Sequence, residues 1–139
     1  MSSSLACVQQ FTPSKPVKRS LSTFVDMFCG IGGFHYAAKT YGMTCAFACD
    51  IDQAVHKAYS HNFGVKPHGD ITCIQAEDIP DHDLFCAGFP CQPFSILGKQ
   101  KGFNDMRGTL FFDIARILRA KMPKAIVLEN VKQLATHER

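Results

Sequence analysis

Apolar residues along the chain fall into short runs, and each run ends in a polar or glycine-rich break. Residues 1–20 are rich in Ser, Gln, Pro and Lys without sustained periodicity, which predicts a flexible leader. From Thr23 the pattern sharpens. TFVDMF (23–28) is a buried-strand run that stops at a glycine-rich turn, and HYAAKTYG (35–42) predicts a short helix closed by Gly42. TCAFACD (44–50) is a second strand ending in acid. DQAVHKAYSHNFG (52–64) has helical spacing, with Ala54, Val55, Ala58 and Tyr59 expected on one side and Gly64 past its end. A weaker strand is expected near His68 to Ile71, and another in DHDLFCAG (81–88). A long Gly-, Lys- and Gln-rich loop then runs from about Phe89 to Arg107. TLFFDIARILRAKM (109–122) places Leu110, Phe111, Ile114, Ile117 and Leu118 at helical spacing. Pro123 stops it, and KAIVLEN (124–130) is the last strand.

Strands alternating with helices predict βαβ units: an α/β, mostly parallel sheet with helices on both faces. In such sheets ligands bind beyond the carboxyl ends of the strands, where each polar cluster singled out below falls. The chain has 139 residues, room for one domain. With 46% hydrophobic and 19% charged residues it can bury a core. A net charge of +3 is too mild to establish a nucleic-acid partner, although Lys99, Lys101 and Arg107 cluster in the long loop.

Seven cysteines without a CxxC pair argue against a disulfide framework and for a reducing, intracellular setting. Cys45 and Cys49 are spaced like metal ligands, but no second pair follows at zinc-finger spacing. Buried reduced thiols with no metal are the expectation. No apolar run approaches the ~20 residues of a membrane span.

Three clusters carry candidate chemistry. In Phe28-Cys29-Gly30-Ile31-Gly32-Gly33, glycines between strand and helix allow a tight turn and close approach of a ligand. A dinucleotide fingerprint would want glycine where His35 stands. Asp50, at the next strand end, can accept hydrogen bonds from a ribose, and Asp70-Ile71 offers an acceptor for an amine beside an apolar contact. Together they describe an adenosine site suited to S-adenosylmethionine at least as well as to a nicotinamide dinucleotide. In Gly88-Phe89-Pro90-Cys91-Gln92-Pro93-Phe94-Ser95, a thiol stands just past a strand end, between prolines, at the start of a basic loop. That is the setting of a nucleophile, provided cationic groups or a helix N-terminus favour the thiolate. Leu128-Glu129-Asn130-Val131 sets a carboxyl group at the last strand's end, on the same rim as Cys91.

DMFCGIGGF, Asp50, GDI (69–71), GFPCQPFS, GKQKGFNDMRGTLFFDIARIL and LENV resemble, in order and spacing, the early blocks of bacterial cytosine-5 DNA methyltransferases of the HhaI type. The resemblance covers residues 22–137. It implies the Rossmann-like sheet of S-adenosylmethionine-dependent methyltransferases. Phe28, Gly30, Gly32 and Gly33 would wrap the cofactor, and Asp50, in place of the family's usual Glu, would hold the ribose. Ile51 would lie against adenine, Asp70 and Ile71 would read it, and Leu110 would form an apolar wall. The resemblance makes Cys91 the nucleophile toward C6 of cytosine and Glu129 its acidic partner at N3. Gln92, Ser95, Lys99 and Arg107 would contact double-stranded DNA carrying a flipped cytosine. A bacterial cytoplasmic, nucleoid-associated enzyme is implied.

The family's later blocks, including paired arginines and a target-recognition region, are not found in these residues. Residues 21–139 are therefore expected to form a partial catalytic domain, truncated, split or a fragment, inactive alone and served by a complementary C-terminal subunit. A tRNA cytosine-5 methyltransferase shares PCQ and ENV and is the nearest alternative. A non-catalytic remnant is another. A nicotinamide-dependent oxidoreductase would have no use for the proline-flanked Cys91.

Overall fold

The computed structural model of the chain describes residues 20–90 and 109–130. Four strands, β1 (Thr23–Met27), β2 (Thr44–Cys49), β3 (Leu84–Gly88) and β4 (Ala125–Glu129), form one sheet in the order β2-β1-β3-β4, with every pairing parallel. The helices are α1 (Gly33–Thr40), α2 (Gln53–Phe63) and α3 (Thr109–Lys121). Because side chains alternate across a strand, the sheet presents two sets of buried residues. Val25, Met27, Phe47, Cys49, Phe85 and Ala87 face α3 and pack with its Ile114 and Ile117. On the other face Ala48 packs with Tyr59 of α2, and Phe24 meets His35 of α1 edge-on. The expected parallel sheet with helices on both faces is the observed one.

Local signals set the ends of α2. Asp52 caps it, its carboxylate accepting from the Ala54 N–H at 2.9 Å, and Gly64 closes it in the left-handed conformation. Its buried side chain is Tyr59, with Phe63 one turn on, whereas Ala54 and Ala58 are exposed. Of the expected face, Tyr59 is buried and Val55 half-buried, but Ala54 and Ala58 are not, because Tyr59 and Phe63 supply the apolar contact on that side. In α3, Ile114 and Ile117 are buried and Leu110 and Leu118 are half-buried, but Phe111 is exposed. The strand expected at His68–Ile71 is reduced to one bridge between Cys49 and His68, and Ile71–Cys73 is instead a single 3-10 turn. Asp70 causes this change: its carboxylate accepts the Thr72 N–H at 2.9 Å and turns the chain off the sheet edge.

The two faces also separate the cysteines at 45 and 49. Cys45 packs against the α2 side and Cys49 against the α3 side, so they cannot share a metal ion. No cluster of three or more potential metal ligands occurs among the described residues. Among those residues no helix is long and apolar enough to cross a membrane.

Candidate active site

The rim begins where β1 ends. Phe28 and Gly30 adopt left-handed φ values of 57° and 51°, and Gly32 one of 94°. Three such residues within five reverse the chain out of the strand and into α1. The glycines do different things. A Cβ on Gly32 would lie 2.1 Å from the Phe63 ring, so this glycine lets α2 approach. Added Cβ atoms at Gly30 and Gly33 meet nothing within 4 Å, so the open side of the turn lies there. His35, where a dinucleotide fingerprint would want glycine, is buried and stacked on Phe63 at 4.0 Å.

Asp50, just beyond β2, faces this turn. Its two carboxylate oxygens accept from the Gly30 N–H at 2.8 Å and the Asp52 N–H at 2.9 Å. Ile51 beside it is 69% exposed, an apolar surface not used by the core. Ile71, by contrast, is buried within the α3-side core. Phe28 and Leu110 are half-buried and pack against the edge of the same core. Phe28 lies 6.5 Å from Phe89 between ring centroids, which links the glycine turn to the end of β3.

The second part of the rim is the junction of β3 and β4. Gly88 is registered with Glu129, and a Cβ on Gly88 would come within 3.2 Å of the Glu129 carboxylate and 3.6 Å of Phe34. Glycine at 88 thus leaves room for the carboxylate over the strand end. The Asn130 side-chain amide donates to the Phe89 carbonyl at 3.0 Å and ties the two strand ends together. Cys91 follows Pro90 directly but lies outside the described residues, as do Gln92, Ser95, Lys99 and Arg107. Glu129 is exposed at the rim.

Among the described thiols, Cys29, Cys49 and Cys86 are buried. Burial pushes Cys49 and Cys86 up to about 12, with Asp26 adding repulsion to both, and raises Cys29 further. They stay protonated and serve as small apolar groups.

A buried polar network under the turn had one visible signal, a charged residue inside the apolar run TFVDMF. Asp26 is 0% exposed and accepts from the Tyr59 hydroxyl at 3.0 Å, while that hydroxyl lies 2.7 Å from His35 Nδ1. One carboxylate oxygen of Asp26 has no hydrogen-bond partner. Desolvation raises its pKa to about 7, against the lowering effect of the bonds from Tyr59 and the His35 backbone. Helix α1 has no side-chain cap and no acid in its first turn.

A parallel sheet with a glycine turn after β1, acids beyond the neighbouring strand ends and a carboxylate on the rim defines a cofactor-binding α/β domain of methyltransferase type. Solved structures agree with that class. The Dnmt2 methyltransferase of S. pombe superposes with a TM-score of 0.69 at 28% identity, covering 86% of this chain and 38% of that one. The Entamoeba histolytica methyltransferase EhMeth gives 0.70 at 26% identity, covering 85% and 40%. Residues 22–139 match the C-5 cytosine-specific DNA methylase model, and the chain belongs to that family. It is 56% identical over 115 residues to the type II methyltransferase M.HhaI of Haemophilus parahaemolyticus, covering 83% of this chain and 35% of the relative. With M.HpaII of Haemophilus parainfluenzae it shares 51% over 128 residues, covering 91% and 36%. The chain thus spans about a third of the length of these relatives.

Proposed function

We propose that this chain carries the cofactor rim and the nucleophile of a DNA (cytosine-5)-methyltransferase. The observation that carries the reading is the β3–β4 junction, where Gly88 leaves space for Glu129 and Asn130 holds Phe89, two residues before Cys91. A nucleophile and an acid on adjacent parallel strand ends suit one pyrimidine ring between them. The Cys91 thiolate adds to C6 of cytosine, and Glu129 stabilises or supplies the proton at N3, offsetting charge that develops there. Carbon 5 becomes nucleophilic. S-adenosylmethionine, when bound, supplies an electrophilic methyl for that carbon. Loss of the C5 proton and expulsion of the Cys91 sulfur then restore the aromatic ring and the enzyme.

The residues present fit that cofactor. The free space at Gly30 and Gly33 is a cradle that side chains would fill, and the half-buried Phe28 and Leu110 and the exposed Ile51 offer apolar surface beside the acceptor carboxylates of Asp50 and Asp70. The target base is inaccessible inside a duplex and must be flipped out, with Gln92, Ser95, Lys99 and Arg107 against the DNA. The match to the C-5 cytosine-specific DNA methylase model favours DNA over tRNA.

A complementary C-terminal segment is part of the proposal. β4 is an edge strand among the described residues, and Ile126, Val127 and Leu128 remain 49%, 43% and 42% exposed, on both faces of the sheet. Further chain laid on β4 would bury them. Incubation with 5-fluorocytosine-containing DNA and S-adenosylmethionine, with and without the C-terminal two thirds of a relative, tests the whole reading. A covalent adduct at Cys91 only with the added segment is expected, and Cys91→Ser should abolish it. Methyl transfer by the chain alone, lost in Cys91→Ser, would overturn the need for a complement. No adduct in either arm would leave a non-catalytic remnant.

A further inference from the structure

Beyond the bridge at His68 the chain leaves the sheet, so the backbone groups of the turn Ile71–Cys73 need partners outside a strand ladder. Part of that need is met from α3. Arg116 Nη2 donates to the Ile74 carbonyl at 3.0 Å and to the Ile71 carbonyl at 3.4 Å, across 42 and 45 residues of sequence. Ile71 opens the 3-10 turn and Ile74 ends it, so one side chain holds both of its limits. The guanidinium is itself aimed by Asp113, three residues earlier on α3, whose Oδ1 accepts from Nε at 3.3 Å and from Nη2 at 3.1 Å. A planar group with several donors can serve a carboxylate and two carbonyls at once. The turn held in this way follows Asp70, whose carboxylate is fixed to it through the Thr72 N–H at 2.9 Å. The helix that holds it carries Leu110, which packs on the same core as Ile71.

We propose that Arg116, oriented by Asp113, is a positioning residue for the adenine end of the cofactor rim. It ties the turn that follows Asp70 to α3, and so fixes the Asp70 acceptor and the Leu110 wall relative to each other. The proposal rests on the reading of that rim as an adenosine site. Arg116 acts through the carbonyls of the turn and not through the ligand.

The test uses the full chain and two kinds of measurement. In the ligand-free protein, the Cys73 and Ile74 N–H groups donate within the turn, to the Asp70 and Ile71 carbonyls. Their hydrogen exchange should quicken by about 10-fold in Arg116→Ala, as expected for losing a charged donor that is partly exposed. Exchange at Val25 in β1 should stay unchanged, which separates loosening of the turn from unfolding. Should Val25 quicken too, the milder Arg116→Lys is judged by the same readouts. Binding of S-adenosylhomocysteine is then compared with that of its purine analogue, which lacks the 6-amino group. Misplacing Asp70 should lower the preference for the amine by about 5- to 10-fold, while the purine analogue binds nearly as before. Asp113→Ala, which frees the guanidinium, should show both changes at smaller size, and Arg116→Lys should restore part of each. Equal weakening of both compounds, or unchanged exchange at Cys73 and Ile74, overturns the proposal. If the wild-type chain binds neither compound, the adenosine reading falls and the positioning role falls with it.

Discussion

Asp26 stands fully buried among apolar neighbours, and its burial makes the fold sensitive to pH. Its pKa is raised from 3.8 to about 7, so between those values the folded chain holds a proton that the unfolded chain has released. Its contribution is therefore fully present below about pH 4 and is lost as pH rises through 7. Asp26→Asn should flatten this trend. Denaturant melts of both proteins at pH 5, 6, 7 and 8 would show the gap between them changing with pH, and parallel curves would refute the assignment. Gly32 and Gly33 make a second contrast. Gly32→Ala meets both a positive φ and the Phe63 ring and should cost about 2–4 kcal/mol. Gly33→Ala, in the first turn of α1 with open space around it, should stay within about 0.5 kcal/mol of wild type or stabilise. Similar losses for both would mean that the close approach of α2 is not what Gly32 serves.

Elements are pinned at the sheet's opposite end by one carboxylate. Asp83, just before β3, accepts from the Ser22 N–H at 2.7 Å and pairs with Lys124 at 2.6 Å, so it joins the starts of β1, β3 and β4. The Lys124 ammonium and the Ser22 and Thr23 donors hold its carboxyl well below the ordinary carboxylate range. A depressed pKa gives stability that is present above the unfolded value near 3.8 and fades as pH falls below it. Asp83→Asn should melt at a lower temperature than wild type at pH 7, with the difference shrinking toward pH 3. A gap that persists undiminished in acid would mean that charge is not the source. At the rim, Asn130→Ala removes the bond to the Phe89 carbonyl and should cost about 1 kcal/mol. Adduct formation at Cys91 should fall in that variant by more than the stability loss explains, because the bond holds Phe89, two residues before Cys91, to the end of β4. Unchanged adduct yield would argue that the segment is placed by other contacts.

For the whole molecule the question is what covers β4. An edge strand with apolar residues exposed on both faces is a surface for further chain. If the complementary segment packs there, Val127→Lys should reduce adduct yield at Cys91 in the reconstituted mixture several-fold. The same substitution should leave the chain's own melting temperature within a few degrees, since Val127 is already 43% exposed. Equal yields for wild type and Val127→Lys, at limiting concentrations of the complementary segment, would move the contact elsewhere.

The alternation of apolar runs and glycine breaks was enough to place four strands and three helices, because burial on both faces of a parallel sheet writes nearly continuous apolar runs. The acid at the end of β4 was legible as well, since polar residues at strand ends interrupt those runs, while Cys91 lies outside the described residues. Periodicity could not show that His68–Ile71 leaves the sheet. One side-chain bond, from Asp70 to the Thr72 N–H, outweighs a weak strand signal there. Nor could it tell Gly32 from Gly33, or Ala58 from Tyr59, because the distance to a neighbouring element separates them. The different backbone partners of Asp50 and Asp70 belong to the same group. Both read as acids at strand ends, and the long-range bond from the Gly30 N–H makes one of them part of the turn itself. Linear spacing specifies which residues reach the rim; only packing of β1, α1 and α2 against one another specifies which of them remain free to meet a ligand.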